Sequence, residues 1–177
     1  MTIDLRNYLA KEILDDGTEI AIRAIRPEDR NSVFEAFKGL DREAIYRRFF
    51  SPKKELTDPE LKRLTDVDFA NIVALVATTK TSKGETLIAG GRYAVVDTES
   101  PRSAELAFLT GGAYRGRGIA GLLLKHLTRL AEDAGLERFE AEVLAENRPM
   151  LAVFKRSGLP MRQTREGSTF HVTLSLD

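Results

Sequence analysis

Residues 115–120 read Arg115-Gly116-Arg117-Gly118-Ile119-Ala120, and how this stretch is read decides the fold. A short apolar run, Ala104 to Leu109, lies before it. After it Ile119, Leu123, Leu127, Leu130 and Ala134 recur at helical spacing until Gly135 supplies a stop. Strand, glycine loop and helix in that order suit the binding of a pyrophosphate. Closely spaced glycines let the backbone turn tightly and expose successive N–H groups, and the start of the helix adds unpaired amides and the positive end of its dipole. The two arginines bring full positive charge to the same loop.

Three readings of the loop compete: a dinucleotide site, a coenzyme site of another kind, and a purely structural glycine turn. As Gly116-x-Gly118-x-x-Gly121 it has the dinucleotide spacing, and Glu140 and Glu142 follow at about the distance of a ribose-binding acid. That fold, however, needs its first glycine directly after the strand and further βαβ units beyond it. Here Thr110-Gly111-Gly112-Ala113-Tyr114-Arg115 intervenes, and residues 122–177 suffice only for a strand, a helix and a hairpin.

Working outward, Tyr8 to Leu14 and Thr18 to Ile25 flank Asp15-Asp16-Gly17 and predict a hairpin, with Ile20 and Ile22 on one face. Pro27-Glu28-Asp29 opens a helix with Val33, Phe34 and Phe37 on a stripe and Gly39 as its stop. Asp41 caps a second helix carrying Ile45, Tyr46 and Phe49, closed by Pro52. Thr57 and Glu60 have capping-box spacing for a third, with Leu61 and Leu64. Ile72 to Thr78, Thr86 to Val96 and Ala104 to Leu109 predict an antiparallel meander. After the glycine-loop helix come a strand at Arg138 to Leu144, an Asn147-capped helix ending at Gly158, and a hairpin of Met161 to Arg165 with Ser168 to Leu176. The expectation is one α/β (α+β) domain over residues 1–177, its core at about 18–176, with a mostly antiparallel mixed sheet flanked by helices.

The composition narrows the chemistry. Among 177 residues, 27 Lys and Arg balance 27 Asp and Glu, so no global basic field points to nucleic acid or an anionic membrane. The short basic runs Arg47-Arg48 and Lys53-Lys54 read as solvated faces. With no cysteine there is neither a thiolate metal site nor a cysteine nucleophile, and His126 and His171 lack ligand spacing. No signal-peptide pattern opens the chain and no apolar run reaches membrane-spanning length, so the default expectation is cytoplasmic.

The order of elements from about Thr18 to Leu176 resembles the GCN5-related N-acetyltransferase (GNAT) superfamily. Arg115-x-x-Gly118-x-Ala120 matches its Arg/Gln-x-x-Gly-x-Gly/Ala acyl-coenzyme A loop. Asn147 with Phe154-x-x-x-Gly158-Leu159 resembles its Asn...Tyr-x-x-x-Gly-Phe pattern. Within the superfamily, Ile22-Arg23-Ala24-Ile25-Arg26-Pro27-Glu28-Asp29 and Tyr46-Arg47-Arg48-Phe49-Phe50 resemble the acetyltransferase domain of Pat-type bacterial protein lysine acetyltransferases. The resemblance implies transfer of an acetyl group from acetyl-coenzyme A to an amine, with a protein lysine as the favoured acceptor. A small amine, and a non-catalytic acyl-coenzyme A sensor, are the alternatives.

The resemblance also implies roles. Backbone N–H groups around Phe108, Leu109 and Thr110 would meet the thioester and pantetheine, and Arg115, Gly116, Arg117, Gly118, Ile119 and Ala120 would cradle the pyrophosphate. Asn147 would contact the pantetheine arm and Phe154 would pack along it. Glu105 is the candidate general base, its pKa raised by Leu106 and Phe108, with Glu99, Glu140 and Glu142 as weaker alternatives. The family tyrosine that protonates the leaving thiolate is Phe154 here; water or direct departure of the thiolate can take its place, with Tyr46 and Tyr114 as substitute acids.

Overall fold

A computed structural model describes residues 4–50, 53 and 55–176. It contains eight strands: β1 (Leu9–Ile13), β2 (Glu19–Ala24), β3 (Ile72–Thr81), β4 (Gly84–Asp97), β5 (Ser103–Thr110), β6 (Arg138–Leu144), β7 (Met161–Glu166) and β8 (Thr169–Ser175). Five helices accompany them: α1 (Arg30–Lys38), α2 (Arg42–Phe49), α3 (Asp58–Thr65), α4 (Ile119–Asp133) and α5 (Arg148–Arg156). The strands form one sheet in the order β1-β2-β3-β4-β5-β6-β8-β7, antiparallel throughout except for the parallel pair β5–β6. The predicted α/β architecture is the one observed.

Local chemistry accounts for the boundaries. Gly17, at φ +89°, turns the first hairpin, and Gly167, at φ +64°, turns the last. Asp41 accepts the Ala44 N–H at the start of α2, and Thr57 and Glu60 close a capping box at α3. Pro52, read as the end of the second helical segment, lies outside the described residues. The meander is tighter than its loop residues suggested: β3 runs to Thr81 and β4 starts at Gly84, whose φ of +89° allows the short turn. Ala134 falls outside the buried stripe of α4. It is exposed at the helix C-cap, and Ala131 completes the apolar face instead.

Strand alternation sends two sets of side chains to opposite faces. One set, including Leu75, Tyr93, Leu106 and Phe139, packs with Leu123, Leu127 and Leu130 of α4 in the main core. The other lies under α1–α3, which with Leu56 from the segment before α3 build a smaller cluster of Phe37, Ile45, Leu56 and Leu61. The first helical segment is tied to the sheet by a buried ion pair. Arg23 donates two hydrogen bonds to Asp29, both 2.8 Å, and a third to Glu85. Asp29, expected as a helix-entrance acid, sits in a short 3-10 turn (Pro27–Asp29), and α1 begins one residue later. Burial opposes its charge, but Arg23 and the Arg26 N–H hold its pKa below the ordinary carboxylate value.

Gly91 of β4 is required by packing. A Cβ there would stand 2.8 Å from the Phe108 ring and 3.3 Å from the Leu127 side chain, and the Phe108 ring is itself packed against Phe154. Gly91→Ala is therefore expected to destabilise the fold by about 1–3 kcal/mol through overpacking. Chemical denaturation would read this as a lower midpoint at unchanged slope.

Candidate functional site

The parallel pair β5–β6 is joined over only three positions, Ser103 to Glu105 against Arg138 to Glu140, and then the strands part. From Leu106 to Thr110 the β6-facing backbone groups of β5 have no partner strand. The Gly111 N–H bonds the Ile88 carbonyl on the β4 side, so by alternation the amide of Leu109 also faces β4 and those of Phe108 and Thr110 face the gap. Of the three expected backbone donors, Leu109 therefore lines the cleft without turning its N–H towards it.

The gap continues into a cleft of about 420 Å³ between the glycine loop and α5. Gly116 (φ +74°) and Gly118 (φ +86°) both hold backbone conformations that favour glycine, and a Cβ on either, or on Gly121, would meet no protein atom within 4 Å. Gly118 is the N-cap of α4 and supplies no side-chain cap, so the first amides of the helix, from Ile119 to Gly121, have no partner among the described residues. Arg115, Gly116, Ile119 and Ala120 line the cleft with them. A run of free N–H groups at a bare helix start, beside an open channel, fits a pyrophosphate.

The loop arginines play a second part. Arg115 pairs with Asp41 at the start of α2. Arg117 binds Asp16 and Thr18 of the first hairpin and lies 5.2 Å over the Tyr114 ring, and it does not line the cleft. Hydrogen bonds from Thr18 and then Arg117 hold the Asp16 carboxyl at about 2. The two guanidinium groups thus fasten the loop to the N-terminal half of the chain, in addition to the charge they bring.

Asn147 lines the cleft and caps α5, its Oδ1 accepting the Met150 N–H. Phe154 lies deeper, 1% exposed and packed against Phe108 at 6.3 Å between centroids. Helical periodicity turns it to the core, so Met150 and Val153 form the wall beside the channel.

Glu105 stands on the last rung of the β5–β6 ladder, opposite Glu140, at the apex of the gap. Its environment is not the apolar one expected. Leu106 and Phe108 project from the other face of β5, whereas Glu105 is exposed on the α2 side and faces the charges of Arg48 and Arg92. Beyond Glu140 the same face carries His171, hydrogen-bonded to Glu142 and, at 3.0 Å, to Glu140. These bonds, Glu142's first, raise the His171 pKa against the effect of burial.

The sequence profile of the acetyltransferase (GNAT) family matches residues 42–159, which span the second helix, the meander, the cleft and α5. The chain belongs to that family. As a GNAT acetyltransferase it is an N-acetyltransferase that uses acetyl-coenzyme A and acts on an amine. The chain is 34% identical over 142 residues to acetyltransferase Pat of Mycolicibacterium smegmatis, a match covering 80% of this chain and 41% of that protein. It is 31% identical over 140 residues to an acetyltransferase of Pseudomonas aeruginosa, covering 78% and 74%. The solved GNAT domain of S. lividans PAT superposes with a TM-score of 0.84 at 32% identity, covering 94% of this GNAT chain and 96% of that one. Against the longer Pat protein, this chain therefore spans less than half the length.

Sequence reasoning missed the position of Arg48. Taken with Arg47 as a solvated face, it is half-buried in a cavity beside the cleft. Arg47 pairs with Glu43 and lines the cleft itself. Lys53, read the same way, pairs with Glu60 and sits over the Phe49 ring; Lys54 lies outside the described residues. A basic residue one turn after apolar Ile45 on the same helix was the available signal. Among the described residues no helix is long and apolar enough to cross a membrane.

Proposed function

We propose that this GNAT enzyme acetylates a lysine side chain of a protein partner by direct transfer within a ternary complex. In this reading the free amides at the start of α4, from Ile119 to Gly121, with Gly116, Gly118 and Arg115, hold the coenzyme pyrophosphate. Asn147 and the α5 wall border the pantetheine arm, and the Phe108 and Thr110 amides face the thioester. When bound, acetyl-coenzyme A supplies the activated acetyl group. Glu105 takes the proton of the incoming ammonium, directly or through water. Its place at the apex of the parted strands is the observation that carries the assignment, because the gap opens one residue beyond it.

Phe154 has no proton to give, and Tyr114 is the better placed of the two remaining phenols. It lines both the cleft and the neighbouring cavity, whereas Tyr46 lines neither. The lysine acceptor is supported by the Pat-like segment, whose α2 borders the site through Arg47, Arg48 and Ala44. Incubation with acetyl-coenzyme A and candidate partner proteins, followed by mass-spectrometric mapping of acetyl-lysine, tests the acceptor. Specific lysines are expected to exceed a Glu105→Gln control. Efficient acetylation of free amines with no lysine above that control would exclude the protein acceptor.

A further inference from the structure

A cavity of about 290 Å³ lies under α1–α3, against β4 and β5, and shares Phe108, Leu109 and Tyr114 with the coenzyme cleft. Its walls are mostly apolar, with Phe37, Leu56 and Leu64 among them, yet two arginines line it, Arg48 from α2 and Arg92 from β4. Most other buried or half-buried guanidinium groups are matched by carboxylates: Arg23 by Asp29 and Glu85, Arg47 by Glu43, Arg115 by Asp41 and Arg117 by Asp16, whereas Arg102 donates to the Ala134 carbonyl and Arg138, away from any cavity lining, has no carboxylate partner among the described residues. Arg48 and Arg92 make no hydrogen bond or ion pair with any described residue. Arg48 instead lies 4.8 Å over the Phe49 ring.

Partly buried charge without a partner is costly, so such a pair marks a place where a partner arrives from outside. Burial lowers both pKa values, that of Arg48 to about 10 with Arg92's charge contributing, yet both groups remain cationic at neutral pH. Glu105 is the carboxylate that faces both, and one negative charge leaves one positive charge unmatched. The planar fork of arginine matches a carboxylate with paired N–H donors.

We infer that this cavity is the acceptor pocket and that the acceptor carries a carboxylate, received by Arg48 and Arg92, on an apolar body seated against Phe37, Leu56 and Leu64. The inference deepens the acceptor reading above and rests on it in taking this side of the cleft as the acceptor's. The carboxylate belongs either to a peptide, as an acidic residue or chain end near its lysine, or to a free amino acid whose own amine is acetylated.

The test is calorimetric titration of the full chain, with coenzyme A present, using N-acetyl-L-phenylalanine and its carboxamide. The acid is expected to bind at least about tenfold more tightly, the difference a charge-assisted hydrogen bond makes. Arg48→Gln and Arg92→Gln are each expected to erase that preference, and Arg92→Lys to restore part of it. Equal binding of acid and amide by the unmodified protein, or a preference that survives both glutamine variants, overturns the inference. Because the acid-to-amide ratio is measured first on the unmodified chain, a variant that fails to fold leaves the test standing.

Thiol-release assays then separate the sources. A lysine peptide with a nearby glutamate preferred over its glutamine analogue, with the preference lost in Arg92→Gln, places the carboxylate on a peptide. Turnover of free phenylalanine lost in the same variant places it on an amino acid. If no protein lysine is acetylated but the acid preference holds, the lysine reading falls and the carboxylate pocket stands. Lysine acetylation without any acid preference gives the reverse.

Discussion

Glu105→Gln is expected to lower kcat by about 10² to 10⁴, the usual worth of a positioned general base, while coenzyme binding stays near its original value. The substitution keeps shape and removes only the capacity to accept a proton. Glu105 is exposed and makes no hydrogen bond to any described side chain, so the change removes no buried partner and the fold should be unaffected. Its position argues for the role: the β5–β6 ladder ends at the Glu105–Glu140 rung, and a substrate amine reaching into the gap meets this carboxylate at its apex. Arg48 and Arg92 keep a positive field on the approach, which favours an amine arriving with its own negative group over a bare cation. Initial rates across pH, with acetyl-coenzyme A saturating, check the expectation. Unaltered turnover with an unaltered pH profile would move the base elsewhere, Glu140 on the neighbouring strand being next in line.

What could be read from the sequence follows the range of the interactions. The hairpin at Asp15-Asp16-Gly17, the caps at Asp41, Thr57 and Asn147, and the glycine loop before α4 each depend on residues a few positions apart. Local turn and cap chemistry specifies them without help from the rest of the chain. The order of elements then implied the fold, because few topologies accommodate a meander, a glycine loop and a closing hairpin in that order. Side-chain direction at the site was harder to read. Phe154 belongs to the matching motif, yet only the packing of α5 on β5 shows that it supports Phe108 from behind.

The long-range charge pairs were beyond local reading altogether, unlike the i,i+4 pair of Arg47 with Glu43. Arg23 finds Glu85 and Arg117 finds Asp16 across separations of 62 and 101 residues, so no short pattern announces them. Arg48 was hidden for the same reason, since its cavity exists only once α2 lies across β4 and β5. The expectation for Glu105 failed on alternation: sequence neighbours Leu106 and Phe108 are not its spatial neighbours, because Leu106 points to the opposite face and Phe108 shares that side.

Gly118→Val is expected to abolish most acetyl-coenzyme A binding. At 100 times Kd the ligand should stabilise the unmodified fold by about 2.7 kcal/mol, and nearly all of that increment should vanish in the variant. Two physical effects act together. A β-branched residue at φ +86° is strained in a way glycine is not, by about 1–3 kcal/mol, which threatens the turn that presents the free amides. The valine side chain would also enter space where the protein has no atom within 4 Å, on the side where a pyrophosphate must approach the backbone closely. Thermal melting with and without ligand separates the two. Backbone strain lowers the melting temperature of the free protein, whereas blockage removes the ligand-induced rise. Since a Cβ at Gly118 clashes with no protein atom, the variant should remain folded, and the lost rise should exceed what its lower starting stability explains. A ligand-induced rise equal to that of the unmodified protein would show that the loop does not carry the pyrophosphate. The free amides from Ile119 to Gly121 would then need another role.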